Sequence, residues 1–496
     1  MSQKLKLFFN SHEKIIYLIF LSFIFAMTVQ QFELFKGNAN HLIHSIKEFD
    51  DNKLQNDWIA NQEHHLPLFT YFNNLLIKIF SKNIIYLIHT LLLGVTPFYL
   101  FLISKELFPK LDQKYLKLIW FGVFIFIFHE NSFFSGVAGQ SSIDAGYQPA
   151  SFSVFFFIGI YFFLIEKNFL SILFICLAAS FHPTYVLHSG FLVLGILGYY
   201  FWSKKYLNFF KILTIYSIFI LPITIFIILN FFTIDKNLTL IGQKILLERI
   251  PHHANIHSWL SYKDFFFLAT YVYAIHLIKK NNRFLVFFTI FGLCPILLSI
   301  VQYFINNTSI ALAFPWRSSI IIAPISSIII FSYFLEKIKL NEFKLKLISY
   351  FLIVLTSTFF FIKSHYIKNL NSDFRNKLIL TQEIKKNYDL VERILVPTNL
   401  SHVRMNSGLP IFVDWKHHAF RFDQLIEWEK RIILANKFYN SKSENDQLLN
   451  LKKIQIVENI SHILIKKDEL KKECSNLINH TEFALVSVKN CYENKF

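Results

Sequence analysis

Between two long apolar segments the chain carries RIPHHANIHSW, Arg249 to Trp259, which gathers an arginine, three histidines and a tryptophan. Near neutral pH an imidazole offers a lone pair or a proton, and a guanidinium forks onto phosphate or carboxylate. Arg249, His252 and His253 are therefore binding candidates, with a phosphate or a sugar hydroxyl as the first ligand to consider. Arg317, in FPWR at the start of a later apolar run, is a second phosphate candidate, because an arginine there is costly unless it is paired or faces water. A snorkelling interface anchor is the plainer reading of the same residue. Early in the chain, QNDW and HHLP place Asp57 near His64 and His65. A carboxylate among such groups serves as a general base toward a hydroxyl or as an oxygen ligand to a divalent metal. The acids around it, Glu48, Asp50, Asp51 and Glu63, read more simply as solvated loop charges.

Further candidates are Tyr147 in GYQP, His182 in an intramembrane His-Pro pair, and Asp414, Trp415 and Lys416 in DWKHH at the end of an expected strand. His129-Glu130 is a weaker member of the same set. An exposed Trp415 would stack on a sugar ring; a buried one with an ion pair would serve packing. Adjacent histidines do not easily aim both rings at one ion, and no HExxH or CxxC-like spacing is present. No metal residue is assigned, no cofactor is certain, and a divalent metal is left open.

These residues must be positioned by a very apolar chain. Of 496 residues 54% are hydrophobic, too many for a soluble globule of this length. Apolar runs near 15–31, 84–103, 117–133, 150–165, 169–181, 186–202, 208–232, 263–279, 284–304, 314–335 and 346–363 predict about eleven transmembrane helices. The first is read as a retained span, and the fifth, short and ended by His182-Pro183, as a broken or half-inserted one. The net charge of +17 does not point to nucleic acid, since the lysines sit in short loops and form no contiguous basic face. One alternating set of loops holds about twice as many basic residues as the other, which puts the N-terminus in the cytoplasm. Nearly all the unusual motifs then fall outside, and of 19 histidines only His12 and His276 are cytoplasmic.

The expected fold is thus an α-helical polytopic membrane protein with a small C-terminal extracytoplasmic α/β domain. Residues 1–365 form the multi-pass domain, with outer loops at about 32–83, 134–150 and 233–262, and residues 366–496 form the α/β domain. ILVPT, PIFVDW, SHILIKK and FALVSVKN read as its strands and FDQLIEWEKRIILANKFY as an amphipathic helix. Cys474 and Cys491 flank the last strand in an oxidising compartment and are expected to form a disulfide, while Cys176 and Cys294 pack within spans.

The multi-pass layout, the long acidic first outer loop and the extracytoplasmic tail resemble the GT-C superfamily of glycosyltransferases. That resemblance implies a sugar donor carried on polyprenyl phosphate, a glycan, lipid or protein acceptor, and an aspartate of the first outer loop as the catalytic carboxylate, which Asp57 best matches. It implies a bacterial inner-membrane location and partners among membrane lipids, not nucleic acid. The chain is also similar to a family of bacterial multi-pass proteins without an assigned reaction. It shares their NDW, GYQP, His-Pro, RIPHH, PWR and DWK motifs, followed by Glu427-Trp428 and Arg431. Two other readings stand beside a glycosyltransferase: a transporter or flippase for a lipid-linked or polar solute, and a non-catalytic envelope assembly protein. A transporter predicts ionisable groups deep in the spans, whereas here they gather at the outer ends.

Overall fold

The computed structural model of the chain describes residues 15, 17–24, 26, 27, 29, 30, 39–47, 53–129, 136–142, 146–231, 235–369, 372–387, 389–470 and 474–492. His12, Glu48, Asp50, Asp51 and Glu130 lie outside the described residues. The chain forms two compact units, each built from three stretches. The first contains Met1–Gln31, Asn83–Ile228 and Leu247–Tyr366; the second contains Phe32–Lys82, Leu229–Leu246 and Ile367–Phe496. The first outer loop therefore folds with the tail, where the sequence pattern had grouped it with the spans.

The first unit is helical, as it must be if its backbone is to satisfy its own hydrogen bonds in hydrocarbon. Among the described residues five helices are long and apolar enough to cross a membrane: Ile84–Leu107, Tyr185–Trp202, Tyr206–Phe231, Asn282–Ile305 and Thr308–Lys337. Two apolar helices, Pro149–Leu164 and Asn168–Phe181, are shorter. Val154–Leu164 packs on Asn168–Phe181, Tyr185–Trp202 on Asn282–Ile305, and Tyr262–Leu277 on Ser319–Lys337. Gly195 lets one of these pairs close, since a Cβ there would sit 2.7 Å from the Phe287 carbonyl oxygen. Trp120, Phe156 and Phe287 lie in the shared core. The outer face is equally greasy: on Tyr206–Phe231, Leu207 is 83% and Leu229 75% exposed, a surface suited to lipid rather than water. The helix Asn168–Phe181 ends where Pro183 disfavours helical geometry at the residue before it, His182. The chain turns there and restarts at Tyr185.

The second unit holds a three-stranded sheet. β1 (Ile394–Leu395) pairs in parallel with β2 (His462–Lys466), which pairs antiparallel with β3 (Phe483–Ser487). Alternate residues feed two faces, as the strand period dictates. Ile463, Ile465, Ala484 and Val486 meet Leu425, Trp428 and Ile432 of the helix Phe422–Tyr439, whose apolar positions recur every three or four residues. Leu464 and Leu485 meet Leu380 and Ile384 of the helix Ser372–Lys385. PIFVDW does not form the expected strand: it makes a single bridge, Ile394 to Ile411. The Ile411 N–H goes to the side chain of Asp57 instead of extending a ladder. Cys474 and Cys491, on either side of β3, are disulfide-bonded.

Backbone contacts pin the first outer loop into this unit. Lys53 N–H donates to the Gly408 carbonyl at 2.8 Å and its ammonium to the Val391 carbonyl at 3.0 Å, while Arg393 Nη2 donates to the Asn56 carbonyl at 2.7 Å. The helix Pro67–Phe80 follows, with Pro67 at its first turn, and packs on the short turn Ile43–Ile46.

Candidate functional site

Within the first unit, three motifs far apart in sequence meet around Arg317. Its Nε donates to Gln140 Oε1 at 3.1 Å and its Nη1 to Thr184 Oγ at 2.8 Å, and the guanidinium lies 4.8 Å from the Phe314 ring centroid. A guanidinium can only donate, so its contact with Gln140 Oε1 fixes which way that amide faces. Gln140 must turn its amide nitrogen toward His253, where Nε2 lies 2.8 Å from Nδ1. The Thr184 hydroxyl is 3.0 Å from His182 Nδ1 and can donate to it or accept from it. Gln140 thereby asks His253 to accept at Nδ1 and to carry its proton on Nε2. The Ala138 carbonyl, 3.0 Å from His253 Nδ1, competes for the opposite arrangement, so His253 holds its proton between two demands.

The elements explain why these residues meet. Pro251 opens a helical turn, Pro251–Ala254, that sets His253 beside Gln140. The Trp316 indole N–H donates to the His253 carbonyl at 3.0 Å, and Trp259 packs on Trp316 with ring centroids 5.1 Å apart. Beside this network is a cavity of about 1060 Å³, lined by His252, His253, Trp259, Tyr262, Lys263 and Asp264 among others. Arg317 is half-buried, and among the described residues no carboxylate pairs with it. It is a positive charge held in place by neutral groups, the arrangement expected of an anion receptor.

The remaining candidates of this unit play smaller parts. Arg249 ends the helix Lys236–Arg249, half-buried. Tyr147 is buried, edge-on to His89 and Phe152, as a packing residue. His188, which sequence reasoning missed, is buried with Nδ1 2.8 Å from Ser318 Oγ, next to Arg317, while its Nε2 has no partner among the described residues. The signal was present: a histidine inside the apolar run YVLHSGFLVLGIL demands a partner.

In the second unit the Asp-Trp motifs meet a residue that the motif pattern had not picked out, Arg404. Asp57 is fully buried. Its Oδ2 accepts from Arg404 Nε at 2.9 Å and from Ile411 N–H at 3.0 Å, and its Oδ1 accepts from Ala60 N–H at 3.1 Å. Expected as a catalytic base, Asp57 is here a buried carboxylate whose three accepted hydrogen bonds brace the first outer loop against the tail. Arg404 also bonds Asp414, which in turn bonds the ring of His417 at 2.9 Å and accepts its N–H at 2.8 Å. Burial alone would raise the Asp414 carboxyl, but His417 and Arg404 outweigh it and hold it below the usual carboxylate range.

The neighbouring tryptophans complete this bracket. Trp58 lies under the Arg431 guanidinium, 4.2 Å from ring centroid to Cζ, and Arg431 pairs with Glu427 and Glu458. The Trp428 indole donates to the Asp414 carbonyl at 3.0 Å. Trp415 is 42% exposed, 5.5 Å from the Trp428 ring and beside an exposed Lys416. His65 is half-buried in a histidine-lined pocket of the same unit. Among the described residues no group of three or more His, Cys, Asp or Glu is placed to hold a metal ion.

A family described as Domain of unknown function (DUF6798) matches residues 377–435, which include Arg404, Asp414, Trp428 and Arg431. No curated protein matches the chain.

Proposed function

We propose that the protein is an integral membrane glycosyltransferase of GT-C type that takes a sugar from a polyprenyl-phosphate carrier and passes it to an acceptor outside the cytoplasmic membrane of a bacterium. In this reading the apolar helices make about eleven spans with the N-terminus inside, and residues 366–496 contribute an extracytoplasmic α/β domain. The observation that carries the proposal is Arg317, a half-buried cation fixed by Gln140 and Thr184 with no carboxylate partner among the described residues. A lipid phosphate would supply the missing negative charge through paired N–H···O bonds. The adjacent cavity gives a sugar and its acceptor room, and His252 and His253 present imidazoles there. Arg317 then stabilises charge on the departing phosphate electrostatically. Asp57 takes no part in the chemistry. The test compares cells with and without the gene, and cells carrying Arg317→Met, for surface glycans and for accumulated polyprenyl-phosphate sugar. Loss of one glycan with build-up of the carrier, reproduced by Arg317→Met, is the expected result; unchanged glycans and carrier in both strains would sink the reading.

A further inference from the structure

In the second unit, His41, His44, His64, His65, His417 and His418 line one small pocket together with Thr70 and Phe420. Its volume is about 10 Å³, room for about one water molecule. The rings touch one another: His44 and His64 have centroids 5.0 Å apart, His41 and His65 5.6 Å, and His418 packs on Phe420 at 4.5 Å. Three polar atoms on its wall, His64 Nδ1, Thr70 Oγ and His417 Nε2, are buried without a hydrogen-bond partner among the described residues. His417 is only 3% exposed. His44 spends its Nδ1 on the Ala60 carbonyl at 3.0 Å, a contact satisfied by the neutral ring.

The charges that face this pocket come from three elements. The turn Ile43–Ile46 and its flanks bring His41, His44 and Lys47; the segment 57–66 brings Asp57, Glu63, His64 and His65; the turn 414–420 brings Asp414, Lys416, His417 and His418. The helix Pro67–Phe80 contributes Thr70, with Tyr71 and Lys78 as its titratable side chains. Asp57 is committed to Arg404, Asp414 to Arg404 and the His417 ring, and Glu63 is exposed. Protons added to His44 and His64 would therefore place like charges against one another with little to neutralise them.

We propose that this pocket is a proton-operated latch, which holds the first outer loop on the 414–420 turn when His44 and His64 are neutral and releases it when the surroundings turn acidic. Burial, then the neighbouring His64 and Lys47, keep His44 well below the usual imidazole range, and burial lowers His64 as well. Both rings take a proton more readily in the released chain. The stability they contribute is whole above pH of about 6.5 and is lost as the pH falls through their lowered values.

The experiment is amide hydrogen exchange on the full chain in detergent, corrected for intrinsic rates, over 41–47 and 57–66 at pH 7.5 and pH 5. Wild type should exchange about tenfold faster in these segments at pH 5, since each unit of lowered pKa is worth a factor of ten. His44→Gln/His64→Gln, and His64→Asn alone should the double variant fold poorly, should match wild type at pH 7.5 and respond less to acid. A wild type indifferent to pH overturns the latch, as does a variant that responds as fully as wild type. Protection of both segments by Zn²⁺ at pH 7.5 would overturn it in favour of a metal site.

Discussion

Arg404 and Arg317 are both arginines withdrawn from water, and they differ in what answers their charge. Arg404 sits between Asp57 and Asp414, fully buried, with the backbone carbonyl of Ile411 nearby. Arg317 has a glutamine and a threonine and, among the described residues, no carboxylate. A buried cation with its counter-charges inside the fold holds structure together, because removing it strands the carboxylates. A cation held by neutral groups alone leaves its charge for something from outside. The motifs that looked equivalent in sequence thus divide into one bracket and one proposed receptor.

The largest expected effect comes from deleting each cation. Arg404→Leu should destabilise the second unit by about 3–5 kcal/mol, because two buried aspartates lose their partner. Arg317→Met should leave thermal unfolding nearly unchanged, since no carboxylate is stranded. Equal losses in melting temperature for the two variants would erase the distinction. A second, smaller effect tests whether Arg317 can be converted into an Arg404. Gln140→Glu places a carboxylate on its Nε, which should preserve the melting temperature but weaken polyprenyl-phosphate binding about tenfold or more, the worth of one charge-assisted hydrogen bond. Undiminished binding by that variant would argue against an anion receptor. The smallest effect is at acid pH. Because the Asp414 pKa is lowered in the fold, its contribution is present above the ordinary value of about 3.9 and is lost only as the pH falls below it. A pH titration of second-unit unfolding should show that loss in wild type, and its persistence in Asp414→Asn would remove Asp414 from the bracket.

Much of the helical layout was legible, because apolar runs of about twenty residues report themselves locally. The helix Phe422–Tyr439 and the strands β2 and β3 were likewise visible in their periodicity. The network around Arg317 was half legible: PWR, His-Pro and RIPHH were singled out, whereas Gln140, which joins two of them, was not. The surroundings of Asp57 were not legible because its partner lies 347 residues away, and no local pattern encodes such a distance. One signal went unused. Only 8 of the 50 basic residues are arginines, and in a chain that otherwise chooses lysine, an arginine marks a place where forked geometry matters.

The separation between Asp57 and Arg404 also sets a timetable for biogenesis. Ribosomes add about 5–20 residues each second, so the first outer loop leaves the ribosome on the order of tens of seconds before the arginine that will neutralise Asp57 exists. Through that interval the loop has no counter-charge and no sheet to dock on. A segment translated much later is therefore the one that closes the first loop, and a chain stalled before residue 404 would present that loop open to chaperones and proteases.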